Sequence, residues 1–264
     1  MATSATAATI RIPYFAITIL LTLSIFPTST MAADILVGGT GYWTPYCYTT
    51  PDAPDTLKGF TVDILKQIFQ DSNDQVKFMV LPWKRCLKML DHSQLDLVLD
   101  GSRDSKRLQK YMFSDEVYQL DNVFFYLTKN YPNGLMLQDS SEIGKYTLGG
   151  ITSLNYSMYP FPESSVQHRA ANMKGMVAML RYDRFELGIA FKQILFSNAR
   201  MNNYSMKGIS FTAIPEMNPL RFYIFGNKNE KTKLIINKIN KGLAEMRDSG
   251  IISKLQRKYG LPEN

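Results

Sequence analysis

The sequence predicts an α/β fold made of two halves, and three observations support this prediction. Short apolar runs typical of strands alternate along the chain with amphipathic segments typical of helices, as in βαβ units with a mainly parallel sheet. Hydrophobic residues make up 45% of the 264 residues, which is ample for one large core or two smaller ones. No internal repeat or low-complexity tract interrupts the alternation.

The first half is predicted to contain strands over residues 34–39, 75–81 and 95–100. An aromatic, turn-rich loop over 40–59 leads into a helix over 60–71, where apolar side chains recur at helical spacing. Pro82 suits the first turn of a second helix. From Trp83 to Leu90, apolar and aromatic residues again recur at i, i+3, i+4 and i+7, so one face of this helix is expected to pack on the core.

Further strands are predicted over residues 122–130, 185–191 and 220–227. Residues 146–157 predict a strand, a glycine turn and the start of a helix. A helix over 172–184 has Asn172 as its N-cap, and the tail of the chain predicts two helices separated by a Ser-Gly stop. The halves are expected to meet near 118–122, with a return to the first half near 216–221.

The N-terminal residues 1–32 have the layout of a secretory signal peptide. A polar start with Arg11 precedes an apolar run, and small residues follow up to Ala32. An uncleaved membrane anchor is the alternative, but an apolar run of about 13 residues is short for a membrane span, which needs about 20. We therefore expect an exported protein that is cleaved after Ala32 and then soluble.

Export bears on Cys47 and Cys86, the two cysteines of the sequence. A disulfide between them is one alternative, because thiols often pair in an oxidising compartment. Two buried thiols that pack as small apolar side chains are the other. The sequence leaves both open, since a disulfide needs Cα atoms about 6 Å apart.

The residue types argue against nucleic-acid, metal and cofactor binding. The net charge of +7 is spread along the chain and mixed with acids, without a basic tail. The sequence has no G-x-S-x-G, H-E-x-x-H, P-loop or paired C-x-x-C motif, and its two histidines are expected to be structural. We expect a monomer whose partner is a small molecule, with no cofactor, no metal and no nucleic acid.

The stretch "DGSRDSKRLQKYMFSDEVY", residues 100–118, follows a predicted buried strand. Asp100, Ser102 and Arg107 therefore lie where ligands bind in open α/β sheets, at the carboxyl end of a strand. The planar fork of an arginine matches a carboxylate bidentately. An ordinary solvated helix start, rich in cations, is the alternative for this stretch.

This stretch resembles the corresponding region of amino-acid-type periplasmic solute-binding proteins, which serve ABC importers. Further resemblances follow in the same order along nearly all of the mature chain: "GYWTP", "GFTVDILKQIF", "LGGIT", "RYDRFELGIA" and "RDSGIISKLQRKYG". The resemblance implies a periplasmic-binding-protein-like fold of type II, in which two α/β lobes close on a ligand around a hinge. Lobe 1 would span 33–120 and 219–264, and lobe 2 would span 121–218.

The resemblance also implies roles for individual residues. Arg107 would hold a carboxylate of the ligand, and Ser102 and the backbone near Asp100 would add hydrogen bonds. Trp43 would stack on the ligand. Thr152 would offer its hydroxyl and backbone N–H at a helix start, an arrangement that favours an anion.

Other residues extend the predicted site or set it apart from the family. Trp83 and Arg85, in the first turn of their helix, would make the cleft basic and aromatic. Tyr46 is a further candidate, with a place in the core as its alternative. Phe191 stands where the family has an acid for an α-ammonium, and Asp104 replaces a threonine. These departures predict a carboxylate-bearing or aromatic ligand rather than an ordinary α-amino acid.

The function that the resemblance implies is capture of a small polar solute in the periplasm and its delivery to the membrane subunits of an ABC importer. Two alternatives remain open at this point. One is an exported, dehydratase-like enzyme on the same scaffold, which would need a well-placed acid such as Asp100, Asp104 or Glu116. The other is a ligand-sensing module that acts on a membrane partner.

Overall fold

The structure is a computed structural model that describes residues 1–4, 34–152 and 154–262. The described residues from Asp34 onward form one compact unit. The predicted signal peptide, residues 1–32, lies outside the described residues apart from its first four. Among the helices of the described residues, none is both long enough and apolar enough to cross a membrane.

The strands, numbered along the chain, are β1 (Asp34–Gly39), β2 (Tyr42–Trp43), β3 (Cys47–Thr50), β4 (Ala53–Lys58), β5 (Gln75–Val80), β6 (Leu97–Ser102), β7 (Tyr111–Phe113), β8 (Tyr118–Leu120), β9 (Asn122–Leu127), β10 (Leu148–Ile151), β11 (His168–Ala170), β12 (Leu187–Phe191), β13 (Ile209–Ala213) and β14 (Leu220–Asn227). The α-helices are α1 (Phe60–Phe69), α2 (Trp83–Asp91), α3 (Ser105–Lys110), α4 (Met173–Arg181), α5 (Lys192–Met201), α6 (Glu230–Asp248) and α7 (Ile251–Tyr259). Short 3-10 helices span Thr128–Asn130, Ser140–Lys145 and Glu163–Ser165.

The first large sheet has the strand order β5-β1-β6-β14-β7, and β8 also pairs with β14. β5, β1 and β6 run parallel, whereas β14 runs antiparallel to β6, β7 and β8. Helices α1, α2 and α6 pack against this sheet. They cover the apolar runs of β1 and β6, which are mostly buried, as expected for strands inside a parallel sheet. We call this sheet with its helices lobe 1.

The second large sheet has the strand order β11-β10-β12-β9-β13. β10 runs parallel to β11 and β12, and β9 runs antiparallel to β12 and β13. Helices α4 and α5 pack against it. The carboxamide oxygen of Asn172 accepts the N–H of Gly175 at 2.8 Å, so Asn172 is the N-cap of α4 as predicted. We call this sheet with its helices lobe 2; the chain enters it after β8 and leaves it before β14.

The parallel arrangement decides where a ligand site can form in lobe 1. β1 and β6 are neighbours in register, with Val37 opposite Leu97. Their carboxyl ends therefore meet at one edge of the sheet, which brings Thr40 close to the segment that starts at Asp100.

The predicted loop over 40–59 contains a small antiparallel sheet of order β2-β3-β4, so that prediction was wrong. Tyr42 pairs with Tyr48, and Trp43 pairs with Cys47. These strands are short and separated by turn residues, so the alternation of apolar and polar side chains is too brief to detect in the sequence.

The glycine turn predicted within residues 146–157 is also wrong, because Gly149 and Gly150 lie inside β10. The ring of Phe185 occupies the space that a Cβ on Gly149 would need, and Tyr156 does the same at Gly150. These glycines therefore allow aromatic side chains to pack on the strand rather than turning the chain. A turn follows β10, not the helix start that the sequence predicts.

Cys47 and Cys86 are buried free thiols, so the structure decides against a disulfide. β1 lies between them: a Cβ on Gly38 would meet the sulfur of Cys86, and a Cβ on Gly39 would meet that of Cys47. Because successive residues of a strand face opposite sides of the sheet, the two thiols lie on opposite faces. Burial raises the pKa of both thiols, that of Cys86 to about 11.

Candidate ligand-binding site

A cavity that is partly open to solvent lies between the two lobes. It is bordered by the carboxyl ends of β1 and β6. The residues that lobe 1 contributes to its wall are Thr40, Tyr42, Trp43, Trp83, Leu99, Asp100, Ser102, Arg107, Leu220 and Phe222. The residues that lobe 2 contributes are Leu154, Asn155, Tyr159 and Phe191.

Asp100 carries an unusual carboxyl group in this wall. Its backbone has a φ of 58°, in the left-handed region that Asp tolerates better than most residues. Oδ1 accepts hydrogen bonds from the hydroxyls of Thr61 at 2.6 Å and Tyr118 at 3.0 Å. Oδ2 is buried and has no hydrogen-bond partner among the described residues. Burial raises the pKa of Asp100 to about 7, although the two hydrogen bonds act in the opposite direction.

Arg107 faces the cavity from the start of α3. Oδ1 of Asp104, the N-cap of α3, accepts the backbone N–H of Arg107 at 2.8 Å, and its Oδ2 lies 3.5 Å from the arginine Nε. Nη1 donates to the carbonyl oxygen of Ser102 at 2.9 Å and to its hydroxyl at 3.1 Å. Burial lowers the pKa of Arg107, while the charge of Asp104 raises it. The guanidinium stays charged at neutral pH and is held in one orientation.

Aromatic rings form much of the remaining wall. The Trp43 ring lies edge-on to Phe191 with centroids 5.6 Å apart, and at the same distance from Phe222. Its indole N–H donates to the hydroxyl of Tyr118 at 2.9 Å. The guanidinium of Arg107 lies 5.4 Å from the centroid of the Trp83 ring. The cavity therefore combines apolar faces with a few fixed polar groups, as small-molecule sites usually do.

Direct contacts join the lobes around the cavity. The amide of Asn155 in lobe 2 donates to Oδ2 of Asp104 in lobe 1 at 3.2 Å. Trp43 of lobe 1 packs on Phe191 of lobe 2. Asp104 thus caps α3, approaches the arginine and bonds to lobe 2, so the lobes meet beside the guanidinium of Arg107.

Most of the residues that the sequence singled out do line the cavity. They are Trp43, Trp83, Asp100, Ser102, Arg107 and Phe191. Arg85, Tyr46 and Thr152 lie elsewhere, each for a different reason.

Arg85 is exposed and borders a surface groove together with Lys88 and His92. Side chains two positions apart on an α-helix point about 200° apart. Because Trp83 faces the cavity, Arg85 faces away from it. The prediction that the first turn of α2 offers both residues to a ligand is therefore corrected to Trp83 alone.

Tyr46 belongs to the core, with only 2% of its surface exposed. Its ring stacks on Tyr118 with centroids 3.8 Å apart and meets Phe60 edge-on. The backbone N–H of Tyr46 donates to the carbonyl of Trp43, in a turn that directs the tyrosine beneath the sheet edge. The alternative that Tyr46 covers the core is therefore the correct one.

Thr152 is exposed and does not line the cavity. Its N–H and its hydroxyl both point to the carbonyl oxygen of Ala170, at 3.0 and 3.2 Å. Thr152 itself lies in a turn and Leu154 in a bend, so the helix start that would offer an anion site is not found at Thr152. The role implied for Thr152 is corrected accordingly.

Eight residues of the wall were not among the predicted site residues: Thr40, Tyr42, Leu99, Leu154, Asn155, Tyr159, Leu220 and Phe222. Thr40 could have been found from the rule that ligands bind at the carboxyl ends of parallel strands, since it follows β1 directly. Asn155 and Tyr159 carry no local signal, because they approach the cavity only through the packing of lobe 2 against lobe 1.

Two binding proteins of Bacillus subtilis are similar to this chain in sequence. The chain is 22% identical to the L-cystine-binding protein TcyA of Bacillus subtilis (strain 168) over 226 residues, which are 85% of this chain and 80% of TcyA. It is also 22% identical over 229 residues to the arginine-binding extracellular protein ArtP of the same organism, covering 85% of each chain.

Solved structures share the fold at low sequence identity. An ABC uptake transporter substrate-binding protein from Streptococcus pneumoniae, with bound histidine, superimposes with a TM-score of 0.69 at 15% identity, covering 86% of this chain and 92% of that one. A histidine kinase sensor domain similar to periplasmic binding proteins superimposes with a TM-score of 0.72 at 13% identity, covering 87% and 96%. The predicted two-lobe α/β fold is thereby confirmed.

The sequence of the whole described unit matches one protein family. The match covers residues 35–262, and the family is described as bacterial extracellular solute-binding proteins, family 3. The similar Bacillus proteins are named as binding proteins, not as enzymes. The protein is accordingly a solute-binding protein of the kind that serves ABC import. Its fold, its interlobe cavity and this match together show that the chain belongs to the bacterial extracellular solute-binding proteins, family 3.

Proposed function

We propose that the protein captures a small solute that carries a carboxylate and delivers it to the membrane subunits of an ABC importer. The observation that carries this proposal is the setting of Arg107. Its guanidinium borders the interlobe cavity and is oriented by Ser102 and Asp104. Nη2 makes no hydrogen bond within the described part of the chain, so it is available to a ligand oxygen. A planar guanidinium held in this way suits a carboxylate.

The ligands named for similar proteins support a carboxylate. TcyA is named for cystine, ArtP for arginine, and the pneumococcal protein was solved with histidine. All three compounds are amino acids with different side chains, and a carboxylate is one of the groups they share. We therefore expect the carboxylate to be the constant part of the ligand.

The rest of the wall favours an apolar or aromatic group next to the carboxylate. Trp43, Phe191 and Phe222 present rings that touch one another and leave few polar atoms on this side. A ring or a branched aliphatic group would replace water on these faces, and such burial is worth about 25 cal/mol per Å² of apolar surface.

We also propose that the lobes open and close around the ligand. The hinge would lie where the chain passes between the sheets, from Leu120 to Asn122 and from Ala213 to Leu220. The Asn155–Asp104 hydrogen bond spans the two lobes and would break on opening. Closure would therefore exclude water from the guanidinium and strengthen its interaction with an anion.

The place of action that we propose is outside the cytoplasmic membrane, in the periplasm, with the protein as a monomer. The family description as extracellular supports this location. Export would remove residues 1–32, so N-terminal sequencing of the exported protein is expected to begin at Ala33. A sequence that begins at Met1, or a dimeric mass in size-exclusion chromatography, would contradict this part of the proposal.

A thermal-shift screen of the purified protein tests the proposed ligand class. The compounds are the standard amino acids, their des-amino acids and aromatic carboxylates, each compared with its primary amide. A ligand present at about 100 times its Kd is expected to add about 2.7 kcal/mol to the free energy of unfolding. The amides are expected to have no effect because they lack the charge that Arg107 would bind. Equal stabilisation by acids and amides would contradict the proposal.

A further inference from the structure

We propose that Asp100 binds a cationic nitrogen of the ligand, so that the ligand is a zwitterion and its binding releases a proton from the protein. This inference rests on the proposed function, because it concerns the same cavity and assumes that Arg107 holds the carboxylate. It assigns a specificity-determining residue at a position different from the one that the family resemblance points to.

The first observation is that the buried carboxyl of Asp100 lacks, among the described residues, a hydrogen-bond donor for Oδ2 and a positive charge beside it. Oδ2 is buried without a partner, and Asp100 takes part in no salt bridge within the described residues. The groups that bond to Oδ1, the hydroxyls of Thr61 and Tyr118, are neutral. A buried carboxyl without a counter-charge costs free energy, and it avoids that cost either by keeping its proton or by gaining a cation.

No cation among the described residues has a resolved electrostatic interaction with Asp100. The titratable side chains whose electrostatic interaction with Asp100 is resolved are Tyr46, Cys47 and Tyr118. All of them are neutral at pH 7, because burial raises the pKa of each group above its ordinary value. A positive charge must therefore come from the ligand.

The second observation is the charge balance of the cavity. Arg107 already faces an anion of the protein, because Oδ2 of Asp104 lies 3.5 Å from its Nε. A ligand with only a negative charge would meet the carboxyl of Asp100 and a guanidinium that Asp104 already partly neutralises. A zwitterion places its positive end at Asp100 and its negative end at Arg107, which balances the charges in a region of low dielectric constant.

The third observation is that Asp100, and not residue 191, supplies the carboxyl of the cavity wall. Phe191, at the position where the resemblance places an acid, is 2% exposed and packs on Trp43 and Phe222. Among the described residues that line the cavity, Asp100 is the sole carboxyl. The sequence predicted a ligand without an α-ammonium because residue 191 is not acidic, but Asp100 supplies an acid from the opposite wall.

Proton release follows from the state of Asp100 before the ligand arrives. Burial raises its pKa to about 7, so below that pH the free protein holds a proton on this carboxyl. A bound ammonium favours the ionised form, and the proton passes to the solvent. The affinity for a zwitterion should therefore fall by about tenfold for each pH unit below about 7, because one proton must be displaced. An acid without the nitrogen gains no such interaction.

Isothermal titration calorimetry of the wild-type protein tests the inference. Each standard amino acid is paired with the acid that lacks its α-amino group, such as L-phenylalanine with 3-phenylpropanoate. The amino member of a binding pair is expected to bind at least about tenfold more tightly at about pH 7.5, and this advantage should shrink toward pH 5.5. Titrations in two buffers of different ionisation enthalpy should show release of a proton near pH 6. The inference is overturned if no amino acid binds, if both members bind equally, or if no proton is released.

The variant Asp100→Asn isolates the carboxylate, because its amide oxygen can still accept from Thr61 and Tyr118. We expect the preference for the amino member and its pH slope to disappear, while the acid without nitrogen binds at least as tightly as it does to the wild type, because the repelling carboxylate is gone. Asp71→Asn, an exposed aspartate of lobe 1 outside the cavity, is the matched control and should change neither. Retention of the preference in Asp100→Asn would overturn the inference; if that variant does not fold, the wild-type proton count decides.

Failure of this inference is distinguishable from failure of the proposed function. If Arg107→Ala leaves binding of the acids without nitrogen intact, the carboxylate proposal is wrong whatever Asp100 does. If Arg107→Ala abolishes that binding while Asp100→Asn has no effect on the amino members, only the role of Asp100 is wrong.

Discussion

The two walls of the cavity differ in charge. Among the described residues of the wall, the acidic side chain is Asp100 and the cationic one is Arg107. Both belong to lobe 1. Lobe 2 contributes apolar, aromatic and neutral polar side chains: Leu154, Asn155, Tyr159 and Phe191. Charged groups in lobe 1 are held by neighbours of the same lobe, such as Ser102 and Thr61. From this difference we expect lobe 1 to orient a ligand and lobe 2 to cover it.

Trp43 belongs to lobe 1 but touches Phe191 of lobe 2, so a substitution of Trp43 tests the separation between the two lobes most directly. Trp43→Ala removes a ring that is 7% exposed and is expected to lower the free energy of unfolding by about 3–5 kcal/mol. Urea unfolding followed by circular dichroism measures the loss. Tyr182→Ala, which removes a ring that is 78% exposed, is the control and should stay within about 0.5 kcal/mol of the wild type. A similar loss in both variants would contradict the role of Trp43 as a buried link.

The charge of the lobe 1 wall predicts a pH-dependent stability. The pKa of Asp100 is raised to about 7 in the folded state, so the folded protein binds this proton more tightly than the unfolded chain does. Its contribution to stability is full below about pH 4, falls as the pH rises to about 7 and stays constant above that, a change on the order of a few kcal/mol. Asp100→Asn should remove this fall.

Urea unfolding at about pH 5 and about pH 8 checks this prediction, since the two values lie on either side of the raised pKa. The free energy of unfolding of Asp100→Asn, taken relative to that of the wild type, should be higher at the higher pH than at the lower pH. A constant difference between the two proteins at both pH values would show that Asp100 does not titrate in this range.

Removal of the guanidinium should weaken ligand binding without a large loss of stability. Arg107→Ala is expected to lower the affinity for a carboxylate ligand by about 10- to 100-fold, because a charge-assisted hydrogen bond is worth about 1.5–3 kcal/mol. Calorimetry with a ligand from the screen measures this change. Arg85→Ala is the matched control, an exposed arginine outside the cavity, and should bind normally. Loss of binding in Arg85→Ala would restore the site that the sequence predicted.

The smallest effect is expected on lobe 2. Asn155→Ala removes the hydrogen bond to Asp104 between the lobes and should raise the ligand Kd by about 2- to 10-fold, through faster dissociation. Stopped-flow measurement of ligand release tests this expectation. Asn133→Ala, at an exposed asparagine outside the cavity, serves as the control. If Asn155→Ala changes the association rate instead, the bond guides entry of the ligand rather than closure.

Local sequence patterns were sufficient for the framework and for part of the site. Strand β14 has the predicted bounds, and Asn172 caps α4 as expected. Asp100 and Arg107 were found because they lie at or just after the carboxyl end of a buried strand, which reaches the ligand edge of a sheet. The small sheet that contains Tyr42 escaped detection because its strands are too short to show a period.

The sequence by itself determined the main strands and helices of the two sheets, the apolar faces of the helices and the segment that carries Arg107, because these depend on neighbours along the chain. Only the tertiary structure decided that Tyr46 turns into the core, that Cys47 and Cys86 lie on opposite faces of β1, and that Arg85 points away from the cavity. It also decided the proton affinity of Asp100. The physical reason is that desolvation and ring packing sum contributions from residues far apart in sequence, which no local pattern records.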